Sequence, residues 1–292
     1  MRGGQKFCKI MPFSSFLLLV FLSVVGAQSW ELTWEDDFLG STLNKSHWNI
    51  AHNMTHGDKE LQLYMAEQVS VRDGTLVLTT VKKPAMYGAK EYQFVSGWVD
   101  TQSKISQTFG KIDVRAQLPN PDAEGIWPAH WLMPEKNAWN CWPVGGEIDI
   151  MEATGGEQNN TVYGTYHWGH NATAVGSAVG STAGCTSGCG CDTRFGHNGK
   201  FEPLLTHNFS TGFNVFSVEW DADAIKWFVN SVQYHERQRN ENGTDVYIPA
   251  EPFYIILNTA IDYWNKKSGT PADVYNKKVE HIIDYVRFYE AR

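Results

Sequence analysis

The residues best suited to chemistry lie in the segment Glu147-Ile-Asp-Ile-Met-Glu152, which places three acids within six positions. In a regular β-strand the side chains alternate between two faces, so Glu152 would lie opposite Glu147 and Asp149, among aliphatic side chains. Burying an unpaired carboxylate in such surroundings is costly. A β-bulge at Ile150 or Met151 adds one residue and returns Glu152 to the face of the other acids. The spacing therefore predicts a bulged strand that carries a row of three carboxyl groups.

A row of this kind is suited to cleaving a glycosidic bond. Two carboxyl groups about 5–5.5 Å apart are the catalytic pair of a retaining glycosidase, where one attacks the sugar and the other is the acid and then the base. A third acid between them keeps the two from ionising alike, because a nearby like charge raises a pKa. The alternative is a solvated strand face whose acids have no catalytic role, since acids commonly face water.

The elements that must position this segment are short, aromatic and rich in β-branched residues. We predict strands at 75–80, 111–118, 215–220, 225–229, 253–261 and 282–289, with 215–220 and 225–229 joined as a hairpin. The nearly continuous apolar run of 253–261 predicts a strand buried on both faces. Strong helix patterns are absent, so the sequence predicts an all-β fold, an antiparallel β-sandwich.

The first residues have the pattern of a secretory signal peptide. Three basic residues within the first nine precede a mostly apolar run at 13–25, and small residues up to Ala27 suit cleavage. The apolar run is shorter than the roughly 20 residues of a membrane span, so we expect cleavage near Ala27 and secretion. The alternative is an uncleaved anchor. Residues 28–292 are then predicted to form a single domain with no membrane association, a size that all-β domains often reach.

The charge balance argues against a nucleic-acid partner. The chain has 24 basic and 32 acidic residues, a net charge of −8. Residues 1–27 hold three basic residues and no acid, so their removal would leave 21 basic residues and a net charge of −11. Binding to phosphates needs clustered Lys and Arg. The balance fits a neutral substrate.

Four cysteines remain beyond residue 27, namely Cys141, Cys185, Cys189 and Cys191. An even number in a secreted chain suggests two disulfide bonds, and we disfavour Cys189–Cys191 because so small a ring is strained. A four-cysteine zinc site is the alternative, although a paired CxxC pattern is missing. Three of the cysteines lie in the segment 174–200, which we expect to be an ordered loop near the site or else a surface insertion. Sequons predict a glycosylated surface and occur at Asn44, Asn53, Asn159, Asn171, Asn208 and Asn242.

Tryptophan surrounds the acidic segment. Five of the twelve tryptophans lie near it in sequence, at positions 127, 131, 139, 142 and 168. Sugar rings stack their C–H faces on flat aromatic rings while their hydroxyl groups need fixed polar partners. A cleft lined by Trp beside paired carboxyl groups is therefore a candidate sugar site, and the alternative is that each Trp belongs to the core.

Several motifs in matching order resemble glycoside hydrolase family 16. They are WEDDF at 34–38, ELQLY at 60–64, FGKIDVRAQLP at 109–119, WPAHWLMP at 127–134, FYIILN at 253–258 and DYVRFY at 284–289. The segment Glu147–Glu152 resembles the bulged signature of the laminarinase-like endo-β-1,3-glucanases of that family. The resemblance implies a concanavalin-like jelly roll with a concave cleft, and a secreted enzyme that cleaves β-1,3 linkages in laminarin-like β-glucans.

The resemblance also implies roles for single residues. Glu147 would be the nucleophile, Glu152 the general acid and then base, and Asp149 the group that tunes the pair. Substrate contacts are implied for Glu60, Trp127, Trp131, His167, Trp168 and Asn258, although His167 could equally make a structural hydrogen bond. A structural calcium ion is implied at Asp37, Gly74 and Asp284, with no cofactor for catalysis. The expected partner is a β-glucan polysaccharide or oligosaccharide, bound by a monomer.

The sequence leaves other functions open. A glucan-binding protein without hydrolysis is one, although such relatives typically lose a catalytic acid and this chain keeps both. Mixed-linkage glucanases, galactan-active enzymes and transglycosylases are others. The chain departs from the family at His130, where Phe is usual, at Ser96–Val99 and at Ile261–Asn265. These departures lie near the expected subsites and bear on the choice of substrate.

Overall fold

The computed structural model describes residues 28–57, 60–120, 125–136, 142–143, 145–153, 161–168, 170–171, 191–192, 199–201, 208–241, 244–261 and 278–292. The predicted signal segment 1–27 and the predicted disulfide bonds lie outside the described residues. So does the loop 174–200, apart from short strand segments at its C-terminal end.

The regular secondary structure of the described residues is almost entirely β-strand. Numbered along the chain, the strands are β1 (Trp30–Asp36), β2 (Asn49–Ile50), β3 (Gln62–Tyr64), β4 (Val69–Arg72), β5 (Thr75–Tyr87), β6 (Lys90–Ser96), β7 (Trp98–Asp100), β8 (Gly110–Gln117), β9 (Ile126–Pro134), β10 (Glu147–Ala153), β11 (Val162–His167), β12 (His170–Asn171), β13 (Cys191–Asp192), β14 (Gly199–Phe201), β15 (Asn214–Trp220), β16 (Ala224–Val229), β17 (Val232–Gln238), β18 (Asn240–Glu241), β19 (Thr244–Asp245), β20 (Phe253–Ile261) and β21 (Val279–Ala291). A single turn of 3-10 helix spans Ala66–Gln68. Each predicted strand is present, and the predicted hairpin joins β15 to β16.

These strands form two large sheets. The first has the order β17-β16-β15-β8-β21-β5-β6-β3, with β1 paired to β21 and β4 paired to β5. The second has the order β14-β11-β10-β9-β20-β7-β2 and contains the acidic strand β10 near its middle. All pairs in both sheets are antiparallel except β3 with β6. The predicted all-β antiparallel sandwich is confirmed. Among the described residues, no helix is long and apolar enough to cross a membrane.

The main core lies between the two sheets. Strand β8 contributes Ile112, Val114 and Ala116 at alternate positions, as the half-polar pattern of 111–118 predicts. Strand β20 is buried on both faces, as predicted, because Ile255 and Leu257 join the main core while Ile256 joins a second cluster. That second cluster contains Trp98 and Trp131 and covers the opposite face of the second sheet. The face that carries it is where the acids lie.

Candidate active site

Strand β10 contains the predicted bulge. On its β11 side, Asp149 pairs with Thr165 and Glu152 with Tyr163, so Ile150 and Met151 together oppose one residue. On its β9 side, Asp149 pairs with Trp131, and Met151 pairs with the adjacent residue His130. Ile148, Ile150 and Met151 are all fully buried in the main core. The extra residue therefore brings the three acids to one face, while the aliphatic residues between them pack inward.

A tryptophan from the first sheet holds the bulge from behind. Trp227 of β16 donates its indole N–H to the carbonyl oxygen of Asp149 at 2.7 Å. Gly164 lies on β11 opposite the bulge, and a Cβ atom added there would stand only 2.3 Å from Trp227 Cδ1. The absence of a side chain at position 164 thus lets the indole reach a backbone oxygen that the bulge removes from the regular ladder.

The three acids line one open cavity on the outer face of the second sheet. Its lining joins strands β9, β10 and β20 to the segment before β3. The lining residues are His56, Glu60, Trp127, Ala129, Trp131, Glu147, Asp149, Glu152, Asn258 and Ala260. The cavity therefore combines carboxyl groups, flat aromatic faces and an amide, which is the mixture that a sugar ring requires.

The two glutamic acids have separate indole partners. Trp127 Nε1 donates to Glu152 Oε1 at 2.8 Å. Trp142 Nε1 donates to Glu147 Oε2 at 2.5 Å. Each indole holds one oxygen of its carboxyl group, so the two acids have separate donors.

Burial is the main influence on the acids. It raises the pKa of Glu147 to about 8, with the Asp149 charge adding to the rise and His167 and Trp142 opposing it. The pKa of Glu152 rises to about 8 by burial and the Asp149 charge, opposed by His167 and Trp127. Burial also raises the pKa of Asp149 to about 7, while a hydrogen bond with Glu147 lowers it. The site therefore keeps protons at neutral pH, as a general acid requires.

His167 lies beside the central acid. Its Nε2 atom is 3.1 Å from Asp149 Oδ2. A nitrogen of His167 and one oxygen each of Glu147 and Asp149 lie within 4.8 Å of one another, so this trio could also hold a divalent cation. Hydrolysis by a carboxyl pair involves no metal ion, and the position of His167 next to Asp149 favours the tuning of the acids.

Sequence comparison identifies the family. The pattern of Glycosyl hydrolases family 16 matches residues 44–286, most of the chain. The chain belongs to glycosyl hydrolase family 16. It is 30% identical to a beta-glucanase of Rhodothermus marinus over 309 residues, covering 98% of this chain and 96% of the relative.

Two further relatives agree with this assignment. A glucan endo-1,3-beta-glucosidase A1 of Niallia circulans is 30% identical over 89% of this chain, which spans only 38% of that longer protein. The catalytic domain of an endo-1,3-beta-glucanase (laminarinase) from Thermotoga petrophila superposes with a TM-score of 0.74 at 29% identity. That match covers 91% of this chain and 100% of the other.

Most predicted site residues of the family come together. Trp127, Trp131, Glu60 and Asn258 line the cavity with the acids. Trp131 Nε1 donates to Asn258 Oδ1 at 2.8 Å, so the indole and the amide form one unit of the wall. His167 contacts Asp149 but does not itself line the cavity, which favours the structural interpretation of that residue.

Two sequence interpretations need correction. Trp168 lies in the main core with about 1% of its surface exposed, so its ring offers almost no area for a sugar. The expectation that it binds substrate overlooked the strand parity that turns it inward. His130 is also fully buried, and its Nε2 lies 2.9 Å from His281 Nε2 across the two sheets. This departure from the family therefore alters the core rather than a subsite.

The predicted calcium ligands have other partners. Asp37 Oδ1 accepts a hydrogen bond from Arg287 Nη2 at 3.1 Å, and Asp284 forms an ion pair with Arg115. Gly74, whose φ of 70° closes the turn between β4 and β5, offers only a backbone oxygen. A calcium ion takes six to eight oxygen ligands. Two carboxylates already neutralised by arginine fit that requirement poorly, and the calcium site stays a prediction.

The site also contains residues for which the sequence predicts no role, namely His56, Trp98 and Tyr64. For Trp142 the sequence predicts only a position near the acids. His56 and Trp98 contact Trp131, while Trp142 binds Glu147. The departure at Ser96–Val99 was the available signal for Trp98. A lone histidine in a polar loop gives no such signal.

Proposed function

We propose that this protein is a secreted, retaining glycosidase that cleaves β-1,3 linkages in β-glucans. Membership of family 16 supports glycosidase activity on β-glucan. The observation that carries the finer proposal is the bulged row of three acids, in which Glu147 and Glu152 share one cavity and have separate indole partners. A double displacement requires two carboxyl groups with distinct roles on the same cleft.

In the first step Glu147 attacks the anomeric carbon and Glu152 protonates the departing glycosidic oxygen. Trp142 holds Glu147 Oε2, so Oε1 is the attacking atom. Trp127 holds Glu152 Oε1, so Oε2 delivers the proton. The sugar is then bound covalently to Glu147, and the leaving chain departs with the proton from Glu152.

In the second step Glu152 is ionised and takes a proton from water, which attacks the anomeric carbon and releases Glu147. Two displacements at one carbon return the original configuration. Asp149 lies between the two acids and its charge resists their simultaneous ionisation, which keeps a proton available for Glu152. His167 limits that effect, since it lowers the pKa of Glu147.

The β-1,3 preference is supported by the Niallia relative, a glucan endo-1,3-beta-glucosidase, and by the Thermotoga relative, an endo-1,3-beta-glucanase. Secretion is supported by the basic and apolar pattern of residues 2–27. N-terminal sequencing of protein recovered from the culture medium should begin near Gln28. A recovered chain that still begins at Met1 contradicts the secretion proposal.

The Glu147→Gln variant tests the mechanism. We expect it to lose hydrolysis of laminarin while still binding it, because glutamine keeps the size and the acceptor for Trp142 but cannot attack. Product sizing on laminarin and on a mixed-linkage β-glucan, with NMR of the newly formed anomer, tests linkage and retention in wild type. Turnover near the wild-type rate in the variant would refute the role of Glu147. A wild-type protein that binds laminarin without shortening it would instead indicate a glucan-binding protein.

A further inference from the structure

His56 lies at one end of a hydrogen-bonded chain along the cavity wall. Its Nδ1 atom is 2.9 Å from Glu60 Oε1. A carboxylate only accepts hydrogen bonds, so the imidazole carries its proton on Nδ1 and donates it. About half of the His56 side chain, 51%, is exposed, compared with 12% for Glu60. The histidine therefore covers a largely buried carboxylate at the rim of the cavity.

Both oxygens of Glu60 are held by protein donors. Oε2 accepts from the Tyr64 hydroxyl at 3.1 Å and from the Gln62 side-chain amide. The orientation of that amide is fixed, because Gln62 Oε1 accepts the backbone N–H of Ile261 at 2.6 Å. With Oε1 bound to His56, the carboxylate is directed toward the wall rather than toward a ligand.

The hydrogen-bonded chain continues from Glu60 to Trp131 on the cavity wall. Trp131 Nε1 donates to Asn258 Oδ1, which orients the amide so that its Nδ2 donates to the Tyr64 oxygen at 2.9 Å. Tyr64 in turn donates to Glu60. All donors point toward the carboxylate, and bonds that end on a charged acceptor are stronger than neutral ones and polarise their neighbours.

The His56 ring also contacts the aromatic residues of the wall. Its centroid is 5.3 Å from the Trp98 ring and 5.6 Å from the Trp131 ring. Trp98 and Trp131 meet edge to face at 5.5 Å. His56 therefore contacts Trp131 directly as well as through the hydrogen-bonded chain that begins at Glu60. Two independent contacts thus join the segment before β3 to Trp131.

We propose that His56 is a positioning residue for substrate, which holds Trp131 and Asn258 in their binding orientation through its hydrogen bond to Glu60. This inference rests on the proposed function, because it takes the ligand to be a glucan chain whose sugar ring lies on that wall. Loss of the His56–Glu60 hydrogen bond removes the His56 donor from one oxygen of Glu60. It thereby weakens the hydrogen-bonded chain that orients Trp131 and Asn258. The reacting acids on β10 keep their own partners, so KM rises while kcat changes little.

Three substitutions separate the hydrogen bond from the ring. His56→Ala removes both, His56→Asn keeps an amide N–H close to the position of Nδ1, and His56→Phe keeps a ring without a donor. We expect KM for a soluble laminarin oligosaccharide to rise about tenfold in His56→Ala and His56→Phe and to stay within about twofold of wild type in His56→Asn, since a tenfold change corresponds to one hydrogen bond. His52→Ala, an exposed histidine four residues earlier, is the matched control and should leave both constants unchanged.

A double-mutant cycle tests the hydrogen-bonded chain from His56 to Trp131. His56→Ala and Tyr64→Phe remove two links of one network, so their combined effect on KM should be smaller than the product of the single effects. Independent effects overturn the proposal, as does a wild-type KM in His56→Phe or a raised KM in His56→Asn. In each of these cases the wild-type protein still hydrolyses the oligosaccharide. Absence of hydrolysis by the wild type refutes the proposed function instead.

Discussion

The Glu152→Gln substitution should change how the stability of the protein depends on pH. The folded protein raises the pKa of Glu152 from 4.5 to about 8, chiefly by burial. A carboxyl group with a raised folded pKa binds its proton more tightly when folded, so its stabilising contribution is complete below about pH 4.5 and is lost as pH rises through about 8. Wild type should therefore lose stability over that interval, while the neutral glutamine should lose less.

The size of the effect follows from the shift. A change from 4.5 to about 8 sets an upper limit of about 5 kcal/mol at about 1.4 kcal/mol for each pH unit. Glu152 is only half-buried and water screens part of its charge, so we expect about 2 kcal/mol. Glutamine keeps the oxygen that accepts from Trp127, which limits other changes in the folded state.

The assay is urea unfolding of both proteins at intervals between pH 4.5 and pH 9. The free energy of unfolding of the variant minus that of wild type should grow by about 2 kcal/mol across this range. Titrating groups that do not interact with Glu152 are shared by the two proteins and cancel in the difference. Glu147 does not cancel, because the Glu152 charge raises its pKa, and removing that charge shifts the difference in the same direction. Glu290→Gln, on an exposed face at the end of β21, is the control and should give a constant difference. A constant difference for Glu152→Gln would refute the argument that burial holds its proton.

Three further changes test the site. Deletion of Met151 removes the bulge and leaves Glu147, Asp149 and Glu152 at alternate positions of a regular strand, so a folded variant should still hydrolyse laminarin; loss of hydrolysis would mean that the bulge does more than return Glu152 to the face of the other acids. Gly164→Ala should lower the free energy of unfolding by about 3 kcal/mol, since its Cβ would overlap Trp227, and a wild-type unfolding midpoint in urea would contradict this close contact. Trp142→Phe removes the hydrogen bond that favours the ionised nucleophile, so the acidic limb of the kcat/KM profile should move to higher pH, and an unmoved limb would exclude that role.

The acidic strand β10 was predictable from sequence because its departure from regular side-chain alternation is local. Three acids and three aliphatic residues in six positions are incompatible with strand parity, and one extra residue is the smallest repair. The same period-two logic predicted β8 and the doubly buried β20. The substrate contact of Trp168 was implied by the family resemblance instead, and a tryptophan near an acidic motif gives no indication of which face of the sheet it occupies.

The sandwich, the bulge and the three acids could all be predicted from the sequence, because each depends on neighbours within a few residues. The contacts that hold those acids depend on how the strands pack in three dimensions. Trp227 reaches the bulge from 78 residues away, and Asn258 reaches Tyr64 across 194. Such partners meet because two sheets stack and twist over one another, which fixes distances that no local pattern encodes. The extra residue in β10 gives Glu152 its direction, and these distant contacts fix its environment.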